Sequence, residues 1–184
     1  MKTLRMKRVK KFYVIYFNGF SLKNEEVLFK DFLQEDDTCV VGFSYGAQKA
    51  LEYVYHTKER IDKLILLSPA FFQTEKPSFI RTQLRYFEAN KKTYVEQFLM
   101  NVVYPSSFTL APYLDIGTKE ELEALLSYKW DKAKIQYILD RGISIEVFLG
   151  MNDRIIDSAK AKDFFSETIT YLLRDTGHIL KEGK

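Results

Sequence analysis

The sequence predicts an α/β fold, with a minimal, mostly parallel sheet of about five strands and a helical insertion between two of them. Three observations predict it. Short, near-continuous apolar runs alternate with amphipathic stretches, the pattern of a parallel sheet covered by helices. A Gly-x-Ser-x-Gly pentapeptide stands where one such run gives way to a helical stretch. Between residues 71 and 141 the alternation stops, and only helical periodicity remains.

The elements follow in order. Phe12 to Phe17 reads as the first strand, introduced by the basic lead MKTLRMKRVKK. That lead resembles a signal peptide, but its apolar run is short and Asn18-Gly19 replaces a small-residue cleavage site. Residues near Asn24 to Leu33 read as a helix with Leu28 and Phe32 on one face. Thr38 to Val41 is the second strand, and a helix runs from Tyr45 to about His56. Ala47, Ala50, Leu51, Val54 and Tyr55 form an unbroken stripe along it. Lys63 to Leu67 is the third strand, stopped by Ser68-Pro69. The insertion predicts a helix marked by Ile80, Leu84 and Phe87, and a second over Thr93 to Val103. A third opens on a Thr118-x-x-Glu121 capping box and carries Leu122, Leu125, Leu126 and Trp130. A fourth, near Ala133 to Asp140, stops at Gly142. Ser144 to Leu149 and Ile169 to Leu173 complete the strands, and such apolar strands are expected to be buried on both faces. The expected organisation is one domain, 1–184, with 71–141 placed to serve as a lid.

Composition narrows the function. An apolar fraction of 46% and 15% aromatics fit a packed globule. A net charge of +3 excludes a nucleic-acid-binding composition. No run approaches transmembrane length, so a cytoplasmic protein without a membrane partner is expected. The single cysteine, Cys39, excludes an internal disulfide and reads as a small buried hydrophobe. No metal-ligand spacing or phosphate loop is present, so neither metal nor cofactor is expected.

The chemistry gathers on Gly42-Phe43-Ser44-Tyr45-Gly46. A sharp strand-to-helix turn lifts a serine hydroxyl clear of the sheet, and the flanking glycines let strand and helix cross closely. A serine needs a base to become a nucleophile near neutral pH, and the chain holds two histidines. His56 lies twelve residues beyond Ser44 on the same helix, about 18 Å away, so it cannot serve. His178 follows the last strand, at the sheet edge where catalytic groups collect. The third member is an acid between them in chain order. Asp153, directly after the fourth strand, is the first choice, with Asp157 and Asp175 as weaker candidates. Asp153 would hold the imidazole tautomer and stabilise the imidazolium, although an Asx turn after a strand would also place an Asp there. The Tyr45 N–H at the helix start and the Phe20 N–H in the Asn18-Gly19-Phe20-Ser21 loop are the expected oxyanion donors. Their side chains would flank a substrate pocket.

Lys76, Arg81, Arg85, Lys91 and Lys92 open the insertion with few acids between them. Arg81 and Arg85, four apart, share a helix face that could steer an acidic carrier protein. An ordinary solvated face remains the alternative.

Taken together, Asn18-Gly19-Phe20, Gly42 to Ala47, Leu67-Ser68-Pro69, Gly150-x-x-Asp153 and Gly177-His178 resemble the α/β-hydrolase superfamily over essentially the whole chain. More narrowly, the length, Gly42-Phe43-Ser44, Glu146 to Gly150 with Asp153-Arg154-Ile155, and Leu122 to Lys129 resemble the short pimeloyl-acyl-carrier-protein methyl ester esterases of biotin synthesis, the BioV type. The resemblance implies a minimal α/β-hydrolase fold and removal of a methyl ester as methanol, with the carrier thioester left intact. It maps Ser44, Asp153 and His178 onto a triad, and the basic face carrying Arg81 and Arg85 onto carrier docking. Against the general pattern, a strand and helix are expected to be missing between Gly19 and Thr38, and Asn18 stands where many relatives have His. The alternatives are a general short-chain esterase, thioesterase or lysophospholipase, or an inactive hydrolase fold used for binding.

Overall fold

The computed structural model describes residues 13–33 and 38–183. The basic lead and Phe12 of the predicted first strand lie outside the described residues. Among those described, β1 (Val14–Phe17), β2 (Cys39–Phe43), β3 (Lys63–Leu67), β4 (Ser144–Gly150) and β5 (Ile169–Leu173) form one parallel sheet in the order β1-β2-β3-β4-β5.

Register fixes what this sheet can present. Phe17 stands beside Gly42, Phe43 beside Leu67, Leu67 beside Phe148, and Gly150 beside Leu173. The strands therefore end almost level, and the loops after them leave from one edge. Every residue of β2 and β3 is buried. Val40, Leu64 and Leu66 face one core, while Cys39, Val41, Ile65 and Leu67 face the other, the period-two alternation of a strand. Each fully buried Leu- or Phe-sized side chain stabilises by about 1.5–3 kcal/mol. The expectation of burial on both faces fails for β1 and β5, which are partly exposed. They are the sheet's edges, with one neighbour each.

Helix α1 (Tyr45–His56) has the predicted bounds, and Ala47, Ala50, Leu51 and Val54 are buried along it. The insertion supplies α2 (Pro77–Ala89), α3 (Lys91–Val103), α4 (Lys119–Ser127) and α5 (Lys132–Asp140). Thr118 and Glu121 form the capping box at the start of α4. Trp130 lies beyond the end of α4 and donates its indole N–H to the Ala70 carbonyl at 2.9 Å.

Two local readings are corrected. Glu25–Phe32 is a 3₁₀ segment whose backbone leaves helical values at Phe29. Phe29, not Leu28, is the apolar residue fully buried there, and Phe32 follows it at the three-residue spacing of a 3₁₀ turn. The sequence reading also passed over α6 (Ser158–Phe164), seven residues capped by the Asp157 carboxylate. No helix among the described residues is long and apolar enough to cross a membrane.

Candidate active site

Phe20, Ser44, Asp153 and His178 lie on loops leaving the level edge of the sheet, while Tyr45 is the first residue of α1 and Arg81 and Arg85 lie on α2. Ser44 occupies the turn from β2 into α1, with φ 53° and ψ −112°. A positive φ at a non-glycine residue costs about 1–3 kcal/mol and persists only where its surroundings enforce it. Here the Ser44 N–H donates to Leu67 O at 2.9 Å, and Ser44 O accepts from Ala47 N and Ala70 N, each at 3.1 Å. The flanking glycines are steric necessities. A Cβ on Gly42 would meet the Gly46 carbonyl, and one on Gly46 would meet the Phe17 carbonyl. The same approach brings the loop after β1 against the first turn of α1.

Two backbone hydrogen bonds join the loops after β4 and β5: Met151 N donates to Leu173 O at 2.9 Å, and Asn152 N to Thr176 O at 2.8 Å. Asp153 and His178 ride on these loops. His178 Nδ1 lies 2.6 Å from Asp153 Oδ2, and His178 Nε2 lies 2.8 Å from Ser44 Oγ. The other carboxylate oxygen of Asp153 accepts from Ile155 N at 2.7 Å and Ile156 N at 3.1 Å. An ionised carboxylate only accepts, so Nδ1 carries the imidazole proton and Nε2 is left to accept from the serine hydroxyl. Ser44 is 2% exposed and His178 fully buried, with the Phe43 ring 5.3 Å from the imidazole. Asp157, an alternative acid, is occupied as the cap of α6, while Asp175 lies exposed in the turn after β5. His56 is exposed at the far end of α1, 3.6 Å from Glu52.

Phe20 and Tyr45, whose N–H groups are the expected oxyanion donors, line one cavity. Neither the Phe20 N–H nor the Tyr45 N–H has an acceptor among the described residues. The Phe20 side chain does not simply flank an opening: it is buried, with Phe98 at 5.8 Å and Phe87 at 6.2 Å between ring centroids. A cavity of about 350 Å³ borders this side, with Asn18, Phe20, Tyr45, Lys49 and Glu121 among its walls. Burial, and then the Glu121 charge, raise the Tyr45 phenol above its ordinary value, so it stays neutral. A second cavity, about 330 Å³, lies among α2, α3 and α4 beside the Asp153 loop, with Phe72, Phe79, Phe98, Leu122 and Ile155 in its lining. Arg81 and Arg85 are exposed on α2, and neither has a carboxylate partner among the described residues.

Sequence reasoning missed two side chains. Gln48, one turn into α1, donates to both Ala70 O and Leu125 O at 3.0 Å, tying α4 to the serine turn. Glu25 is fully buried and accepts the Gly19 N–H at 2.7 Å. An acid close behind the loop after β1 is the only signal the sequence offers for Glu25.

No protein-family model matches the sequence, and no curated protein matches it significantly. Solved structures do match in shape. An α/β-hydrolase-fold protein from Burkholderia ambifaria gives a TM-score of 0.58 at 12% identity, over 92% of this chain and 85% of that one. BioG from Haemophilus influenzae gives 0.54 at 12% identity, over 90% and 88%. Naproxen esterase, carboxylesterase NP, from Bacillus subtilis gives 0.54 at 15% identity, over 94% and 79%. At such identities shape is what is shared: the chain has the α/β-hydrolase fold, with five strands among the described residues.

Proposed function

We propose that the chain is a serine carboxylesterase that removes the methyl ester from a pimeloyl-acyl-carrier protein. The observation that carries the reading is the imidazole of His178, held between Ser44 Oγ and Asp153 Oδ2. Ser44 Oγ attacks the ester carbonyl carbon while His178 Nε2 takes its proton. The tetrahedral oxyanion is held by the Phe20 and Tyr45 N–H groups, each preorganised donor being worth about 10²–10³ in rate. Collapse breaks the bond to the methoxy oxygen, and His178 returns the proton so that methanol departs. Water then attacks the acyl-enzyme with His178 again as base, freeing the carboxylic acid and Ser44. No step requires a metal or cofactor.

Because Ser44 and His178 are buried, substrate reaches them only when the covering helices move, which fits a lid role for 71–141. The cavity among α2, α3 and α4 supports an apolar acyl chain. Arg81 and Arg85 are the proposed docking residues for the acidic carrier. Carboxylesterases among the structures of like fold support the ester reading by analogy.

Incubating the protein with methyl pimeloyl-carrier protein tests the reading: demethylation with the thioester intact is expected. The same apolar cavity favours a second reading, a general acyl esterase, thioesterase or lysophospholipase. The pair Arg81→Glu and Arg85→Glu separates the two. A carrier-dependent enzyme loses carrier-linked turnover and keeps small-ester turnover, whereas a general esterase keeps both.

A further inference from the structure

We propose that Glu25 is the positioning residue of the oxyanion loop: its carboxylate holds the Gly19 N–H and so sets where the neighbouring Phe20 N–H points. The inference rests on the serine-esterase reading above.

The loop after β1 must satisfy two opposing demands. It has to pass close to the core, where a Cβ on Gly19 would come within 2.8 Å of the Phe43 ring. Glycine meets that demand but brings the widest backbone freedom of any residue. An oxyanion donor needs the reverse, a fixed direction before the reaction begins. The Phe20 N–H belongs to the peptide immediately after Gly19, so freedom at Gly19 is freedom of the donor.

Glu25 anchors the near side of that hinge, the peptide that carries the Gly19 N–H. Its Oε1 accepts the Gly19 N–H at 2.7 Å and the Tyr16 hydroxyl at 3.3 Å. Tyr16 lies in β1, so the contact ties the loop back to the sheet. Burial, then the Glu25 charge, keep the Tyr16 phenol protonated and able to donate. The far side of the loop is held separately. Lys23 N donates to Tyr113 O at 2.8 Å, Asp115 N to Ser21 O at 2.9 Å, and Gly117 N to Ser21 Oγ at 3.1 Å. Phe20 is the link between these anchors, its ring packed between α2 and α3.

The choice of an acid is expensive for structure alone. Glu25 is fully buried, and its Oε2 is buried with no hydrogen-bond partner among the described residues. An unsatisfied buried carboxyl oxygen weakens a fold, and an apolar residue would fill the space at less cost. The fold carries this group where the catalytic reading needs a rigid backbone.

The test compares Glu25→Ala and Glu25→Gln by steady-state hydrolysis of p-nitrophenyl butyrate. Folded active sites are counted by end-point labelling with a fluorophosphonate. The Ala variant is expected to lose about 10- to 100-fold in kcat per labelled site, because the donor is misplaced rather than removed. Its KM should stay within about twofold, since a transition-state contact is what is lost. The Gln variant keeps an acceptor oxygen and should stay within about threefold of wild type. An Ala variant with wild-type kcat per labelled site, lowered only in melting temperature, overturns the proposal, as does a Gln variant as slow as Ala. A wild-type protein that neither takes the label nor cleaves the ester overturns the serine-esterase reading itself, and the role of Glu25 falls with it.

Discussion

Replacing Asp153 by Asn probes the chemistry with little change in shape. In the native site the carboxylate accepts from His178 Nδ1 across 2.6 Å, which leaves Nε2 as a proton acceptor facing Ser44 Oγ at 2.8 Å. The two backbone donors, Ile155 N and Ile156 N, already occupy Oδ1. An Asn side chain keeps that oxygen on the two donors and turns its NH₂ toward the imidazole. The imidazole must then accept at Nδ1 and carry its proton on Nε2, where it can no longer take one from Ser44. A wrong tautomer in such a triad costs about 10⁴ in kcat, or about 5.5 kcal/mol of transition-state stabilisation. Folding should barely change, because both backbone hydrogen bonds survive. A shift within about 1 kcal/mol moves the melting point by about 2–4 °C for a chain of this size. Steady-state hydrolysis of p-nitrophenyl butyrate and a thermal melt read the two quantities on one preparation. A variant that melts with wild type and retains more than a tenth of its kcat would refute the assignment of Asp153.

Three further outcomes follow. Gly46→Ala drives a methyl group into the Phe17 carbonyl, and should cost about 3 kcal/mol of stability by chemical denaturation; an unchanged midpoint would mean that the strand and helix need not cross so closely. Lys63 and Glu146 form an ion pair at 2.7 Å, with side chains only 11% and 12% exposed, so Glu146→Gln should lower the urea midpoint, and an unchanged midpoint would mean that the pair adds nothing to the fold. Burial raises the Glu25 carboxyl above its ordinary 4.5, against the lowering effect of the Gly19 N–H, so the native state holds that proton more tightly than the unfolded chain. Its contribution to stability is therefore fully present below pH 4.5 and declines as pH rises through the folded value; the urea midpoint of Glu25→Gln should fall less steeply than wild type over that rise, and parallel profiles would contradict it.

Much of this architecture is legible in the sequence because the central elements obey one strong rule each. Lys63–Leu67 is a bounded apolar run, and Tyr45–His56 carries an uninterrupted stripe; tertiary packing reinforces what local pattern already favours. Ser44, Asp153 and His178 could be singled out because parallel strands deliver their following loops to one edge, and few candidates in the chain satisfied the required order. The pattern fails where position in the sheet overrides it. Ile169–Leu173 reads as a buried strand yet lies at an edge, which composition does not encode. Glu25–Phe32 has apolar residues at spacings that a helix and a 3₁₀ turn share over so short a stretch. Ser158–Phe164 is too short to display a period. Glu25 itself was invisible because its partner, the Gly19 N–H, is a backbone group that any sequence supplies.

The central claim is that Ser44 is a nucleophile activated by His178. Intact-protein and peptide mass spectrometry after treatment with a fluorophosphonate tests it most directly. The account predicts one adduct on wild type, mapped to Ser44, with none on Ser44→Ala and a greatly slowed reaction on His178→Ala. A wild-type protein that stays unmodified, or an adduct that persists in Ser44→Ala, would contradict it.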